Sequence, residues 1–279
     1  MRRAHILVVR LALDVTASVI GAMPNLQVIA TSTTGLNHID IGAAEARGIK
    51  MVSLRGRTDF LKNIPSTAEE TLALLFALVR KIPWAFDAVK SFKWSPNDWI
   101  GNQLLGKKIG ILGFGRLGKI VAHYAKAFGM QVLATDPFVS SREMKKYGVI
   151  KVGQDYLFKN SDFVSLHVLL TEKTHNLVRV RHLKMMKSSA FLINTARGEL
   201  IEKGVLEKAL HRKWIAGAAI DVMWGEKGDA SHLKGNPLVQ YAKKNKNLII
   251  VPHIGGTTYE AMKVTQEFTA GLVLKYFKS

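Results

Sequence analysis

The chain has 279 residues, 48% of them hydrophobic, and carries 40 lysine and arginine residues against 21 aspartate and glutamate residues, a formal net charge of +19. It has no cysteine, which excludes disulfides, thiolate nucleophiles and zinc–cysteine sites, and no metal site is predicted. No apolar run reaches membrane-spanning length, so no membrane partner is predicted. The basic residues are spread along the chain without interleaved aromatic residues. This favours a solvated basic surface over a nucleic-acid partner.

The first 60 residues alternate strands and helices. Apolar runs predict strands at residues 6–9, 26–30 and 51–54, the first of them buried, with helices at 15–23 and 41–47. This alternation predicts a parallel sheet. Ser66 to Glu69 has the pattern of a capped helix start, and Pro83 is expected to end or bend the helix that follows. The unpatterned residues 91–101 are interpreted as the crossing into a second domain.

The alternation restarts at residue 106. Strands are predicted at residues 109–112, 131–134, 163–167, 190–194, 215–220 and 248–251, with helices between them. Six such strands fit a complete doubly wound sheet. A last amphipathic helix, residues 258–277, is expected to reach back to the first domain.

A glycine motif joins the first of these strands to its helix. Gly113, Gly115 and Gly118 have the spacing G-x-G-x-x-G in the strand–turn–helix context of a dinucleotide site. Asp136 ends the next strand, where an acid accepts hydrogen bonds from the adenosine ribose and repels a 2′-phosphate. NAD is therefore predicted in preference to NADP.

Three later strand-end loops each carry a charged or titratable residue. Arg197, in NTARG, has the planar fork that matches a carboxylate, although a surface arginine is the alternative. His253, in PHIGG, suits proton transfer because its ordinary pKa is near neutral, although a structural histidine is the alternative. Glu226, which follows Asp221, is the candidate carboxylate partner for that histidine.

Five motifs in order, GFGRLG with Asp136, SLHVLLT, NTARG, GAAIDV and PHIGG, resemble those of the D-isomer-specific 2-hydroxyacid dehydrogenases, especially the D-3-phosphoglycerate dehydrogenase-like branch. The resemblance implies an α/β fold with a Rossmann NAD-binding domain, residues 96–256. That domain is inserted in a flavodoxin-like substrate domain, residues 1–95 and 257–279. It also implies a cytoplasmic enzyme, a homodimer formed through the cofactor domain, and NAD-linked interconversion of a small D-2-hydroxy acid and its 2-keto acid.

The same resemblance implies roles for individual residues. Arg197 would bind the substrate, His253 would be the acid/base, and Glu226 would be its partner. Backbone N–H groups of Leu54, Arg55 and Gly56 would meet the substrate carboxylate. Cofactor contacts are implied for Gly113, Gly115, Arg116, Leu117, Gly118, Asp136, His167, Val168, Thr195, Ala196, Arg197, Asp221, His253, Gly255 and Gly256.

The chain departs from the family pattern in two places. Leu169 stands where the family usually has proline, and the chain begins near what should be the second strand, so a substrate domain truncated at its N-terminus is expected. Two alternatives therefore stay open: an NAD(H)-sensing binding protein of the corepressor type, and an inactive truncated homologue. Arg55, Arg57 and Lys62 form either a phosphate pocket or a solvated basic loop. If they form a phosphate pocket, 3-phosphoglycerate is one candidate substrate.

Overall fold

The computed structural model describes residues 3–10 and 13–278. The strands are β1 (Ile6–Val9), β2 (Val28–Thr31), β3 (Lys50–Val52), β4 (Lys108–Leu112), β5 (Gln131–Thr135), β6 (Ile150–Lys151), β7 (Phe163–Leu166), β8 (Phe191–Asn194), β9 (Gly217–Ile220) and β10 (Leu248–Ile250). The helices are α1 (Ala17–Gly21), α2 (Ile41–Ala46), α3 (Thr58–Leu61), α4 (Ser66–Val79), α5 (Ile82–Lys90), α6 (Arg116–Ala127), α7 (Ser141–Lys146), α8 (Gln154–Asn160), α9 (Val180–Met185), α10 (Val205–His211), α11 (Pro237–Lys244) and α12 (Tyr259–Lys278).

The chain separates into two compact units. The first unit comprises Met1–Ile64, Glu226–Lys234 and Gly256–Ser279, and the second comprises Pro65–Gly225 and Gly235–Gly255. This division differs from the predicted boundary at residues 95 and 96, because α4 and α5 belong to the second unit. The reason is packing: α4 buries Leu72, Leu75 and Val79 in the core of that unit.

The first unit contains a parallel sheet with the strand order β1-β2-β3. Apolar residues of α1 and α2 cover one face, and Val273 of α12 packs with β2 and β3 in a separate cluster. The predicted strands are confirmed, but β1 is not buried as predicted: Val8 is 68% exposed. Among the described residues β1 pairs only with β2, so it lies at a sheet edge.

The second unit is a Rossmann-like doubly wound sheet, as predicted. Its described strands follow the order β10-β9-β8-β7-β4-β5-β6, and every pair is parallel. The chain runs from β4 outward to β6, then returns to β7 on the other side of β4. This reversal of strand order is where dinucleotides bind in such folds. The short strand β6 was not predicted.

Two helix boundaries differ from the prediction. Pro65, not Ser66 or Thr67, precedes α4 as its cap residue, and no side-chain cap is present. Ser66 is instead buried in the first turn. Pro83 does not end α4, which stops at Val79. It lies in the first turn of α5, where the missing N–H of proline costs no helical hydrogen bond.

Candidate functional site

The carboxyl ends of six neighbouring strands lie in register along one edge of the second unit's sheet. The paired end residues, in spatial order, are Thr135, Leu112, Leu166, Asn194, Ile220 and Ile250. At about 4.8 Å between strands, this edge is about 24 Å long. The predicted ligand residues that follow these ends are Asp136, Gly113, His167, Thr195, Asp221 and His253. Residues far apart in sequence are thereby aligned on one edge.

The glycine turn has the geometry of a phosphate cradle. Gly113 has φ +93°, and a Cβ there would come within 2.7 Å of the His167 carbonyl oxygen. A Cβ on Gly118 would lie 2.2 Å from the Gly113 carbonyl oxygen. Gly115 precedes α6 and has open space where its Cβ would be. The turn therefore leaves the start of a twelve-residue helix approachable, as a pyrophosphate requires.

Asp136 is held beside this turn by two backbone groups. The Phe114 N–H donates to Oδ2 at 2.9 Å, and the Phe138 N–H donates to Oδ1 at 2.8 Å. Each carboxylate oxygen can accept more than one hydrogen bond, so both retain acceptor capacity for ribose hydroxyls. The negative charge disfavours a 2′-phosphate in the same place.

The other predicted cofactor residues near the glycine turn offer different groups to a ligand. His167 Nε2 and Ser165 Oγ are 2.8 Å apart, and burial lowers the pKa of this imidazole to about 4, so it is neutral near pH 7. Burial also lowers the pKa of the Arg116 guanidinium. The Leu117 side chain packs against the core, which leaves its backbone for a ligand. Val168 lies beside Gly113.

The turn that carries Arg197 is organised by a buried asparagine. Asn194 Oδ1 accepts a hydrogen bond from the Ala196 N–H at 3.0 Å, and its Nδ2 donates to the Arg197 carbonyl oxygen at 2.9 Å. The Arg197 guanidinium donates to the Ala196 carbonyl oxygen at 2.6 Å. Asn194 was not among the predicted site residues, although a polar residue at the end of an apolar strand was the available signal.

The hydroxyl of Thr195 is bound from α4. Its Oγ1 lies 2.8 Å from Thr71 Oγ1, and both residues are buried. Thr71 was also missed, because α4 was predicted in the other domain. Its signal was a polar residue within the apolar run of the helix.

Asp221 fixes the turn that carries His253. It is 1% exposed, and its carboxylate accepts hydrogen bonds from the N–H groups of Ile254, at 2.6 Å, and Gly255, at 2.8 Å. Its carbonyl oxygen accepts from the His253 N–H at 2.9 Å. His253 has φ +54°, a left-handed conformation that is uncommon for a non-glycine residue and that functional sites often retain. Glu70 of α4 is close enough to be affected: burial and then the charge of Asp221 raise its pKa.

The remaining predicted residues belong to the first unit. They are Glu226, Gly256, Leu54, Arg55 and Gly56. The Leu54 N–H donates to the Thr33 carbonyl oxygen at 3.0 Å, and the Arg55 N–H donates to Ser53 Oγ at 3.3 Å. Gly56 has φ +78°, which favours glycine. The pairing of Glu226 with His253 stays a prediction.

The described residues contain neither a metal cluster nor a membrane-spanning helix. Within 3–10 and 13–278, no group of three or more histidine, aspartate or glutamate side chains is arranged to hold a metal ion. No helix in the same ranges is both long and apolar enough to cross a bilayer.

Residues 72–255 match the family model of the D-isomer specific 2-hydroxyacid dehydrogenase NAD binding domain. This chain belongs to the D-isomer-specific 2-hydroxyacid dehydrogenase family. Its second unit contains most of the family's NAD-binding domain, and the glycine turn, the start of α6 and Asp136 fit that cofactor.

Relatives of this chain are named for different substrates. The chain is 37% identical over 256 residues to a D-3-phosphoglycerate dehydrogenase of Synechocystis sp., covering 91% of this chain but 44% of that protein. It is also 37% identical over 268 residues to a glyoxylate reductase of Thermococcus litoralis, covering 91% of this chain and 75% of that protein. The D-lactate dehydrogenase of Aquifex aeolicus, solved with NAD and lactic acid, superposes with a TM-score of 0.85 at 30% identity. That superposition covers 99% of this chain and 84% of the other.

Proposed function

We propose that this chain is an NAD-dependent dehydrogenase that interconverts a D-2-hydroxy acid and its 2-keto acid. The observation that carries the proposal is the register of the six strand ends. It aligns the glycine cradle, the Arg197 turn and the His253 turn on one sheet edge. When bound, NAD supplies the hydride acceptor for oxidation and, as NADH, the hydride donor for reduction.

Arg197 positions the substrate. Its planar fork binds the carboxylate and the neighbouring oxygen on C2, which orients the C2–H bond toward the cofactor. The turn can do this reproducibly because Asn194 holds the backbone on both sides of Ala196. A lysine would keep the charge but lose the two parallel hydrogen bonds.

His253 transfers the proton. In oxidation, the imidazole accepts the hydroxyl proton as the C2–H hydride leaves, and the hydroxy acid becomes a keto acid. In reduction, the imidazolium returns that proton to the carbonyl oxygen as hydride arrives at C2. Asp221 keeps the histidine backbone in its left-handed conformation. Glu226 is the proposed carboxylate that hydrogen-bonds the imidazole and stabilises its charged form.

The cofactor and substrate assignments extend the same proposal. The proposed cofactor contacts are the fifteen residues from Gly113 to Gly256 named above. Leu54, Arg55 and Gly56 form the proposed substrate loop. The N–H groups of Leu54 and Arg55 already donate within the chain, so the Gly56 N–H is the one proposed to meet the substrate carboxylate. A phosphorylated substrate such as 3-phosphoglycerate is supported by the exposed Arg55, Arg57 and Lys62, which flank the short helix α3. We place the enzyme in the cytoplasm, where its cofactor and small acids are available, without a nucleic-acid partner.

A homodimer through the second unit is supported by exposed apolar side chains. No residue of α5 is buried, and Phe86 is 62%, Phe92 100% and Trp94 84% exposed. Monomeric proteins rarely leave such patches uncovered, so a second copy is the proposed cover. Sedimentation should give about twice the 30.9 kDa of one chain, and Phe86→Glu should lower it toward the monomer. Tyr156→Glu, at an exposed position on α8, is the control and should leave the dimer intact.

The activity is tested by adding NADH and a panel of 2-keto acids: glyoxylate, pyruvate, hydroxypyruvate and 3-phosphohydroxypyruvate. At least one should cause loss of NADH absorbance. His253→Gln should lower kcat about 10²- to 10⁴-fold, whereas His123→Gln, at an exposed position on α6, should not. Tight NADH binding without NADH consumption on any keto acid would contradict the proposal.

A further inference from the structure

A cavity of about 260 Å³ opens in the second unit beside the loop that follows β7. We call it the basic cavity. Its wall includes Gln154, Lys173, Asn176, Arg179, Arg181 and His182. None of these is a predicted cofactor or substrate residue. The volume is slightly below the usual range for drug-sized ligands, so the cavity suits a smaller molecule.

The wall of the basic cavity carries a positive charge. Lys173, Arg179 and Arg181 are cationic at neutral pH. Asp155 offsets one of these charges, because its Oδ2 lies 3.1 Å from Arg181 Nη1. Burial, followed by the charge of Arg181, lowers the pKa of His182, so this ring does not add to the charge near pH 7. The balance of these groups is about +2, which matches a dianion.

The cationic wall is held in place by hydrogen bonds within the loop. The Arg179 N–H donates to His182 Nδ1 at 2.9 Å, and Arg179 Nε donates to the Asn176 carbonyl oxygen at 3.2 Å. Gln154 Nε2 donates to the Leu177 carbonyl oxygen at 3.3 Å and lies 3.2 Å from His182 Nε2. Because Arg179 is anchored through Nε, its terminal nitrogens can face a ligand with little loss of side-chain freedom on binding.

Asn176 adds a different kind of group. Its backbone is left-handed, with φ +55°, and its Oδ1 is buried without a hydrogen-bond partner among the described residues. A buried acceptor is stabilised by a donor from water or from a ligand, so Asn176 Oδ1 can accept a hydrogen bond from a ligand hydroxyl. The cavity thus combines a site for a dianion with a site for a hydrogen-bond donor.

We propose that the basic cavity binds a small phosphate ester of a hydroxylated carbon chain, at a site separate from the proposed cofactor and substrate residues. The phosphate dianion meets Lys173 and Arg179, and a hydroxyl donates to Asn176 Oδ1. The proposal does not depend on the dehydrogenase activity.

The test is calorimetric titration of the full chain with glycerol 3-phosphate and with inorganic phosphate, at low ionic strength and with saturating NADH. NADH keeps either probe from occupying the glycine cradle. Glycerol 3-phosphate should bind one per chain and more tightly than inorganic phosphate. Arg179→Gln and Lys173→Gln should each weaken it about tenfold or more, the loss expected for a charged hydrogen bond. Lys244→Gln removes an exposed charge on α11, outside the cavity, and should change affinity less than about twofold.

Asn176→Gly removes the unpaired oxygen and suits the left-handed backbone, so this variant should fold. This substitution should weaken the binding of glycerol 3-phosphate but not the binding of inorganic phosphate. Three results would overturn the proposal: no binding of either probe, equal weakening in the Lys244 and Arg179 variants, or loss of binding on adding NADH. Equal affinities of wild type and the Asn176 variant for glycerol 3-phosphate would overturn the hydroxyl contact.

Discussion

Two glycines of the cofactor turn can be replaced by alanine one at a time. One substitution should lower mainly the stability of the fold and the other mainly the affinity for NADH. At Gly118, a Cβ would lie 2.2 Å from the Gly113 carbonyl oxygen and 3.2 Å from Ile111 Cγ2, so the backbone must move. Overpacking of this severity costs about 3 kcal/mol. For a unit of this size, each kcal/mol lowers Tm by about 2–4 °C, so Gly118→Ala should melt about 6–12 °C below wild type.

Gly115→Ala should have the opposite profile. Its Cβ meets no atom within 4 Å, and its φ of −75° suits alanine. Loss of a glycine helix cap costs about 0.5–1 kcal/mol, so Tm should change by only about 1–4 °C. The added methyl group occupies the approach of the pyrophosphate to α6, so NADH affinity should fall about tenfold or more, equivalent to about 1.4 kcal/mol.

Thermal unfolding followed by fluorescence titration with NADH measures both effects on each variant. NADH binding by Gly115→Ala as tight as that of wild type would refute the proposed approach of the pyrophosphate to α6. A Tm of Gly118→Ala equal to that of wild type would likewise show that the close approach of Gly118 to the Gly113 carbonyl oxygen has no energetic consequence.

Three further predictions concern the sheet edge. Since burial and Asp221 raise the pKa of Glu70, stability falls as pH rises from the ordinary carboxyl pKa through the raised one. At pH 7, Glu70→Gln should therefore unfold at a higher urea concentration than wild type, and at pH 4 the two midpoints should be close. The same difference in midpoint between variant and wild type at both pH values would contradict this. Since the folded pKa of His167 is about 4 against an ordinary 6.5, the folded state binds this proton less well, and up to about 3 kcal/mol of stability should be lost as pH falls from 6.5 to 4. In urea unfolding, His167→Gln should lose less stability than wild type between pH 6.5 and pH 4. An identical pH dependence of stability in the two proteins would contradict this. Asp221→Asn should cost about 1–3 kcal/mol, measured by thermal unfolding, because the N–H groups of Ile254 and Gly255 lose a carboxylate; an unchanged Tm would exclude this role.

Sequence patterns predicted most of the sheet. Buried parallel strands appear as short apolar runs, and β4, β7 and β8 lie where such runs predicted them. The strand β6 has only two residues, Ile150 and Lys151, both exposed, so no apolar run marked it. The Gly113 turn was predictable because its requirements are local: left-handed backbone, close approach and a helix start.

Features that depend on distant partners were not predictable. An apolar helix such as α4 covers a sheet, but its sequence does not say which sheet, so the domain boundary was misplaced. Thr71 gained significance only through Thr195, 124 residues away. Asn194 belonged to a predicted strand, and its role in shaping the Arg197 turn depends on a side-chain orientation that the strand pattern does not reveal.

The stereochemistry of the product tests the central claim most directly. Pyruvate, hydroxypyruvate and 3-phosphohydroxypyruvate give chiral products, so whichever of these three supports NADH consumption is reduced to completion, and the 2-hydroxy acid formed is resolved by chiral chromatography. If Arg197 and His253 fix the substrate in one orientation toward the cofactor, as proposed, a single isomer forms, and membership of the D-isomer-specific family predicts that it is the D-isomer. The L-isomer, or a racemic product, would contradict it.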